Sequence, residues 1–279
     1  MKAGIGSTFY HFFVIAFGFL MIYPILWTVA SSLKPGSEIF TNVASLLPSR
    51  FMWDNYAIGW RGTGKIGFSD FFANSAVVTF FSVIGSLLSA SLVGFGFARL
   101  QFKYRSFLFG CLLVTMMLPG QVTLIPQYIL FQKIGWVNTY FPLTVPSFIG
   151  GTPFFIFLMV QFYRGIPREL DEAAVIDGCS TFGVWRRVVL PLCMPALTTV
   201  AIFSFLWTWD EFFAPLIYLN DPKLYTIALG LSLFSDPSAS TEWGPLLAMS
   251  TLTLIPQFVI FMIFQKYIVE GIATTGIKG

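Results

Sequence analysis

Charged residues are so sparse along this chain that the apolar runs between them define its elements. Residues 3 to 33 lie between Lys2 and Lys34, 71 to 98 between Asp70 and Arg99, and 106 to 132 between Arg105 and Lys133. Residues 134 to 163 then end at Arg164, 188 to 209 run from Arg187 to Asp210, and 243 to 265 end at Lys266. About 20 apolar residues cross the hydrocarbon as a helix, and lipid offers no partner to an open backbone, so each run is predicted as a transmembrane helix. Trimmed to their apolar centres, the spans fall at about 9–30, 71–98, 106–131, 140–163, 191–218 and 243–265. The remaining polar segment, 164–190, is a loop between helices 4 and 5. Residues 1–279 are therefore predicted to form a single all-α membrane domain. The first run is long enough to remain as a span, and Met1 to Gly6 is too short for the basic segment of a cleaved leader.

Composition supports this class. Only 10% of the residues are charged and 56% are hydrophobic, against about 25% charged in a soluble domain. A net charge of +3 implies no nucleic-acid partner. Cys111, Cys179 and Cys193 form no C-x-x-C pair, so neither a disulfide framework nor a metal site is indicated. With the N-terminus inside, ten of the sixteen Lys and Arg residues fall in cytoplasmic segments and six outside. Four of those six are in the long first outer loop, where charge counts least, so the bias places both termini in the cytoplasm.

Spans three and four are rich in proline, at Pro119, Pro126, Pro142, Pro146 and Pro153, which predicts kinked helices whose freed carbonyls are met by neighbours or water. Gly94, Gly96 and Ala98 in span two and Gly150 and Gly151 in span four suit close helix contact. In the first outer loop, Gly59 to Ile66 imitates a phosphate-binding loop, G-x-x-x-x-G-K, but Ile66 replaces the Ser/Thr that would hold magnesium and no apolar strand precedes it. This chain is read as holding no nucleotide site of its own. The same loop carries Trp53 and Trp60, suited either to the membrane interface or to an external partner. Asp210 and Glu211 stand 19 residues or more beyond Pro191, about 29 Å along a helix. They either anchor at the outer headgroups beside Trp207 and Trp209 or line a pathway or gate.

The one dense polar stretch lies between Arg164 and Arg187, with four acids and four arginines. It reads as two short helices. Pro167 suits a first helical position, Glu169, Asp171 and Glu172 suit the positive end of the helix dipole, and Gly178 suits the stop. Ser180 suits the cap of the second helix, Arg186 and Arg187 lie near its end, and Pro191 opens the next segment. Ala173 and Ala174 are nearly bare positions that let another surface approach.

Glu172-Ala173-Ala174, three residues, Gly178, nine residues and Val188-Val189-Leu190-Pro191 together resemble the EAA loop of permease subunits of ABC importers, with Val188 where the family has isoleucine. Further matches lie along nearly the whole chain: Ser32-Leu33-Lys34-Pro35, Asn74-Ser75, Trp207 to Phe212 and the tail from Gln265 to Gly271 resemble carbohydrate permeases of the maltose type. The resemblance implies the inner-membrane component of a binding-protein-dependent importer in the bacterial or archaeal cytoplasmic membrane. It implies a second, homologous permease subunit, an ATPase dimer that binds the ATP and magnesium, and an extracytoplasmic sugar-binding protein. It also implies a coupling role for Glu172, Ala173, Ala174, Asp177, Gly178, Leu190 and Pro191, with motion by alternating access. The substrate it implies is a sugar, a non-sugar solute being the alternative.

Two other classes compete. A secondary transporter would leave the Glu172 loop unexplained and usually shows an internal repeat, which is not apparent here. An intramembrane hydrolase would need a nucleophile and base or metal ligands, but the only histidine is His11 and no H-E-x-x-H occurs.

Overall fold

The computed structural model describes residues 5–62, 66–235 and 241–276. Lys2, Lys65 and the final Ile277 to Gly279 lie outside the described residues, as do the side chains of 267–276. Helices stand over every long apolar run, and the described residues hold no extended sheet. Four helical stretches are long and apolar enough to cross a membrane, or up to six if each of two sharply bent pairs counts as one span. The chain divides into two compact units, Met1–Ser69 with Gly230–Pro256, and Asp70–Leu229 with Gln257–Gly279.

In the first unit, α1 (Ile5–Ser32) is followed by an irregular loop and the short α2 (Asp54–Arg61). α1 turns its apolar side chains outward: the most apolar stretch within it has no buried residue. That is the pattern of a helix solvated by lipid or by another subunit. The loop is held by polar contacts. Lys34 is fully buried, and its Nζ donates to the carbonyls of Asn42 (3.2 Å) and Ser45 (2.6 Å). Asn55 Nδ2 donates to the carbonyls of Ser32 and Lys34. Gly59 lies inside α2 against Met249, and a Cβ there would stand 2.8 Å from the Met249 side chain. The Gly59-Trp60-Arg61 part of the phosphate-loop imitation is therefore helix, with its first glycine used for packing.

The second unit is built around α3 (Phe68–Arg99), of which Asp70 onward belongs to this unit. Ser75, Thr79, Ser82, Ser86 and Ser89 are all buried. Their spacing of four and three places them on one face. Ser89 Oγ donates to the Ser147 carbonyl (2.7 Å), Ser82 Oγ to the Leu143 carbonyl (3.2 Å), and Ser204 Oγ to Ser86 Oγ (3.1 Å). Ser147 sits in the last turn of α6 (Phe141–Phe148), where carbonyls lack helical partners, so α3 supplies donors that the helix itself cannot. Gly94 allows close approach to α7 (Pro153–Gly165): an added Cβ would stand 2.8 Å from Met159 Cβ. Gly96, by contrast, faces open space.

The prolines break the spans more than they kink them. α4 (Arg105–Met117) and α5 (Gly120–Lys133) meet at 104° across Leu118 and Pro119. Of the five prolines of spans three and four, only Pro126 in α5 and Pro146 in α6 lie inside their helices; Pro142 and Pro153 sit in first turns, where a missing N–H costs nothing. Gly150 has φ +91 and forms the turn between α6 and α7, and Gly151 presses on the Pro146 carbonyl. The pair is thus a turn, not the helix-contact surface expected from the sequence.

Candidate functional site

The polar segment folds as a capped hairpin. α8 (Glu169–Ile176) begins one residue after Arg168, so Pro167 precedes the helix and does not occupy its first position. Its three acids in the first turn oppose the positive dipole end. It stops at Gly178, which has φ +84. There Cys179 N donates to the Ala174 carbonyl (2.9 Å) and Gly178 N to the Val175 carbonyl (3.0 Å), the paired bonds of a Schellman closure. Ser180 then caps α9 (Thr181–Val184), its Oγ accepting from Gly183 N at 3.2 Å.

After α9 the chain widens into a π-turn, Trp185–Val189, which contains Arg186 and Arg187. α10 (Leu190–Leu192) carries Pro191, which brings no N–H for the Arg187 carbonyl behind it. α11 (Met194–Trp209) follows at a bend of 79°. Leu190 is half-buried and Pro191 exposed.

The hairpin has two unlike faces. Inward, Ala174 (7% exposed), Val184, Trp185 and Val189 join the core with Phe95, Tyr163 and Cys193. Outward, Glu172, Ala173, Val175, Asp177 and Gly178 are exposed, and Ile176 is 85% exposed. The expectation that both alanines face a partner is corrected here: Ala173 faces out, while Ala174 is packed against its own chain. Three neighbouring apolar side chains left open, Val175, Ile176 and Phe182, beside Glu172 and Asp177 make a surface suited to a protein partner.

The inner face is also tied by charge. Arg99, the last residue of α3, sets its Nε 3.0 Å from Asp171 Oδ2, with the side chains 6% and 18% exposed. Arg99 Nη2 also donates to the Ile166 carbonyl at 2.9 Å. One guanidinium therefore holds both α8 and the strand of chain leading into it. In the sequence nothing joins these two residues. Their only signal there was an unmatched cation at the end of one charge-free run and an acid flanking the E-A-A triplet.

Asp210 and Glu211 fall at the break between α11 and α12 (Phe213–Tyr218). They are adjacent in sequence but do different things. Asp210 accepts a hydrogen bond from Gln257 Nε2 of α14 (Trp243–Gly276). Glu211 turns back on its own chain, Oε1 accepting from Phe213 N (2.9 Å) and Ala214 N (3.2 Å). Trp209 is buried against Phe72 and Phe205, so it is not a lipid-facing anchor. Trp207 is half exposed. Among the described residues no group of His, Cys, Asp and Glu is arranged to hold a metal ion.

Comparison with known proteins gives a consistent picture. The sequence model of the family described as binding-protein-dependent transport system inner membrane component matches residues 83–274. A probable ABC transporter permease protein of Bacillus subtilis, YurM, is 36% identical over 99% of this chain and 90% of its own. The arabinooligosaccharide transport system permease protein AraQ of Halalkalibacterium halodurans is 32% identical over 94% of this chain and 92% of its own. A solved chain from a bacterial ABC transporter involved in the import of the acidic polysaccharide alginate superposes with a TM-score of 0.82 at 20% identity, covering 94% of this chain and 96% of that one.

Proposed function

The chain belongs to the family of binding-protein-dependent transport system inner membrane components, and from that premise we propose that it imports a sugar and takes its driving force through the α8–α9 hairpin. It is the permease subunit of an ABC importer, a transport subunit and not an enzyme. Such a permease works with a partner permease, an ATPase and a substrate-binding protein. The finer reading is that the partner permease is a homologue, that two ATPase copies dock on the cytoplasmic side, and that both termini face the cytoplasm. The charge bias between loops supports that orientation.

The observation that carries the coupling reading is the contrast between the two faces of α8. Its outer face presents Glu172, Ala173, Ile176 and Asp177, open for a cleft in another protein. Its inner face is ion-paired through Asp171 to Arg99 of α3. A push on the outer face therefore passes into a long membrane helix without an intervening flexible joint. Gly178 sets the angle at which the second helix leaves, and Leu190 and Pro191 lead into α11. The sugar reading rests on the arabinooligosaccharide permease among the relatives. Asp210 and Glu211, at a helix break, are assigned to the pathway or its gate.

The test is to reconstitute the chain with its partner permease, ATPase and binding protein and to measure ATP hydrolysis against a panel of neutral oligosaccharides and glycerol phosphates. Stimulation and uptake with a neutral oligosaccharide are expected. Stimulation by none of the neutral sugars would overturn the sugar reading. Reporter fusions near Cys179 and near Gly62 score the orientation separately, the first cytoplasmic and the second external.

A further inference from the structure

A cavity of about 640 Å³ opens in the second unit where α3, α4, α7 and the start of α8 meet, and its lining includes Arg99, Arg105, Arg164, Arg168 and Glu169. It is within the size of small-molecule sites, about 300–1,000 Å³. Arg99 closes the apolar run 71–98, Arg105 opens the run 106–132, and Arg164 closes the run 134–163. The charged ends of three spans therefore gather at one cavity, which puts it at the level where hydrocarbon gives way to headgroups.

The arginines are held in place but not neutralised. Arg99 is spent on Asp171 and on the Ile166 carbonyl. Arg105 Nη2 donates to the Ala98 carbonyl at 3.4 Å, a neutral acceptor. Arg164 stands over the Phe109 ring at 5.0 Å, a contact that positions the guanidinium without cancelling its charge. Arg168 is exposed. Among the described residues, none of Arg105, Arg164 and Arg168 makes an ion pair. With Asp171 set against Arg99 and Glu169 against one more arginine, two positive charges remain in one cavity. Like charges at such close quarters repel unless an anion joins them.

The cavity also borders an apolar surface. Phe107 (68% exposed) and Leu108 follow Arg105 in α4, and Phe102 and Tyr104 lie exposed in the turn before it. Lys103 Nζ sits over the Tyr104 ring at 4.9 Å. Aromatic and apolar side chains beside cations suit the headgroup boundary. A free phosphate has no use for that surface, whereas a lipid has chains to lay along it.

We propose that this cavity binds the phosphate headgroup of an anionic phospholipid, with its acyl chains along the exposed Phe107 and Leu108 of α4. Arg105 and Arg164 donate to the phosphate oxygens, the geometry a guanidinium fork suits, and Arg168 adds charge from the water side. Basic pockets between membrane helices on the cytoplasmic side are common seats for such headgroups, and the assignment to that leaflet rests on the orientation proposed above. Arg99 lines the same cavity and holds Asp171, so a bound lipid braces the joint between α3 and α8. Such a site is independent of which solute is imported.

The experiment takes the complete complex in detergent, where no leaflet is defined, and titrates it with phosphatidylglycerol or with phosphatidylcholine of identical chains. Mass spectrometry of the intact complex reads the affinity of the most tightly held lipid. Wild type is expected to prefer phosphatidylglycerol. Arg105→Gln with Arg164→Gln should weaken phosphatidylglycerol binding by about fivefold for each charge removed and leave phosphatidylcholine binding unchanged. Lys133→Gln, outside the cavity, should change neither. Equal phosphatidylglycerol affinity in wild type and the double variant overturns the site. Displacement of the lipid by millimolar inorganic phosphate overturns the lipid as occupant and assigns the cavity to a free anion. Unchanged lipid binding with weaker ATPase co-purification overturns it too, by making the cavity a protein-docking surface. If the double variant does not assemble, Arg168→Gln, a change on an exposed side chain, carries the test: a loss of about fivefold supports the site, and an unchanged affinity overturns it.

Discussion

Arg99 and Asp171 form a partly buried ion pair, Nε to Oδ2 at 3.0 Å, between the end of α3 and the first turn of α8. Removing one partner leaves the other charge uncompensated, at a cost below the about 3–5 kcal/mol of a fully buried pair. Asp171→Asn should therefore loosen α8 from α3. The expected outcome is an assembled complex in which ATP hydrolysis continues but sugar uptake per ATP falls sharply. The double exchange Arg99→Asp with Asp171→Arg should recover part of the coupling. Full coupling in Asp171→Asn would show that force does not pass through this pair.

Gly178 closes α8 with φ +84 and has open space around the position of a Cβ. The cost of a side chain there is thus conformational, about 1–2 kcal/mol for a residue forced left-handed, and nothing is added by a clash. Gly178→Asn, which tolerates that region, should transport nearly as wild type. Gly178→Val should shift the exit of the second helix and weaken ATPase co-purification. Equal behaviour of the two variants would mean that the angle set at Gly178 has no part in docking.

The helical class, the family and the capped hairpin were legible in the sequence because each rests on local chemistry. Charge-free runs longer than a span admit little but helix, and Gly178 and Ser180 stop and start helices by their own backbone and side-chain preferences. The helix breaks at Leu118–Pro119 and Ile149–Thr152 were less legible. A proline states that a donor is missing, and only the neighbouring helices decide between a kink and a new helix start. The inward turn of Ala174 depends on the rotation of α8 about its axis, which Trp185 and Tyr163 settle by packing. The Arg99–Asp171 pair joins distant parts of the chain and has no local signal. The row Ser75, Thr79, Ser82, Ser86 and Ser89 did carry one: small polar residues at helical spacing inside an apolar span.

The loop between α1 and α2 carries a pH-sensitive contact. Ser49 Oγ donates to Glu38 Oε2 at 2.6 Å, and this bond, assisted by Ser49 N, holds the Glu38 carboxyl below its ordinary value of 4.5. A carboxyl with a depressed pKa stabilises the fold above its unfolded value, and the contribution is lost as pH falls through the folded value. The loop should resist protease at neutral pH and become more readily cut as the medium is acidified below 4.5. Glu38→Gln should cut at a nearly pH-independent rate. A wild-type cleavage profile that matches Glu38→Gln after correction for the protease's own pH dependence would rule the contact out as the cause.

Ala173 and Ala174 are neighbours with opposite environments, and that contrast separates folding from docking. Ala174 is 7% exposed and shares its surroundings with Val184 and Trp185. Ala174→Trp overpacks the chain's own core, at about 1–3 kcal/mol or more. It should lower the yield and melting temperature of the permease before any ATPase is added. Ala173 is exposed, so Ala173→Trp leaves the chain's own core unfilled. It should leave the melting temperature of the permease pair unchanged while reducing ATPase co-purification and uptake. Glu172→Lys, also exposed, should act like Ala173→Trp by reversing the charge the helix offers. The measurements are thermal melting of the permease pair, co-purification of the ATPase and uptake by the whole complex. Normal co-purification and uptake in both Ala173→Trp and Glu172→Lys would leave the outer face of α8 as a solvated surface, and the coupling role would have to move elsewhere in the chain.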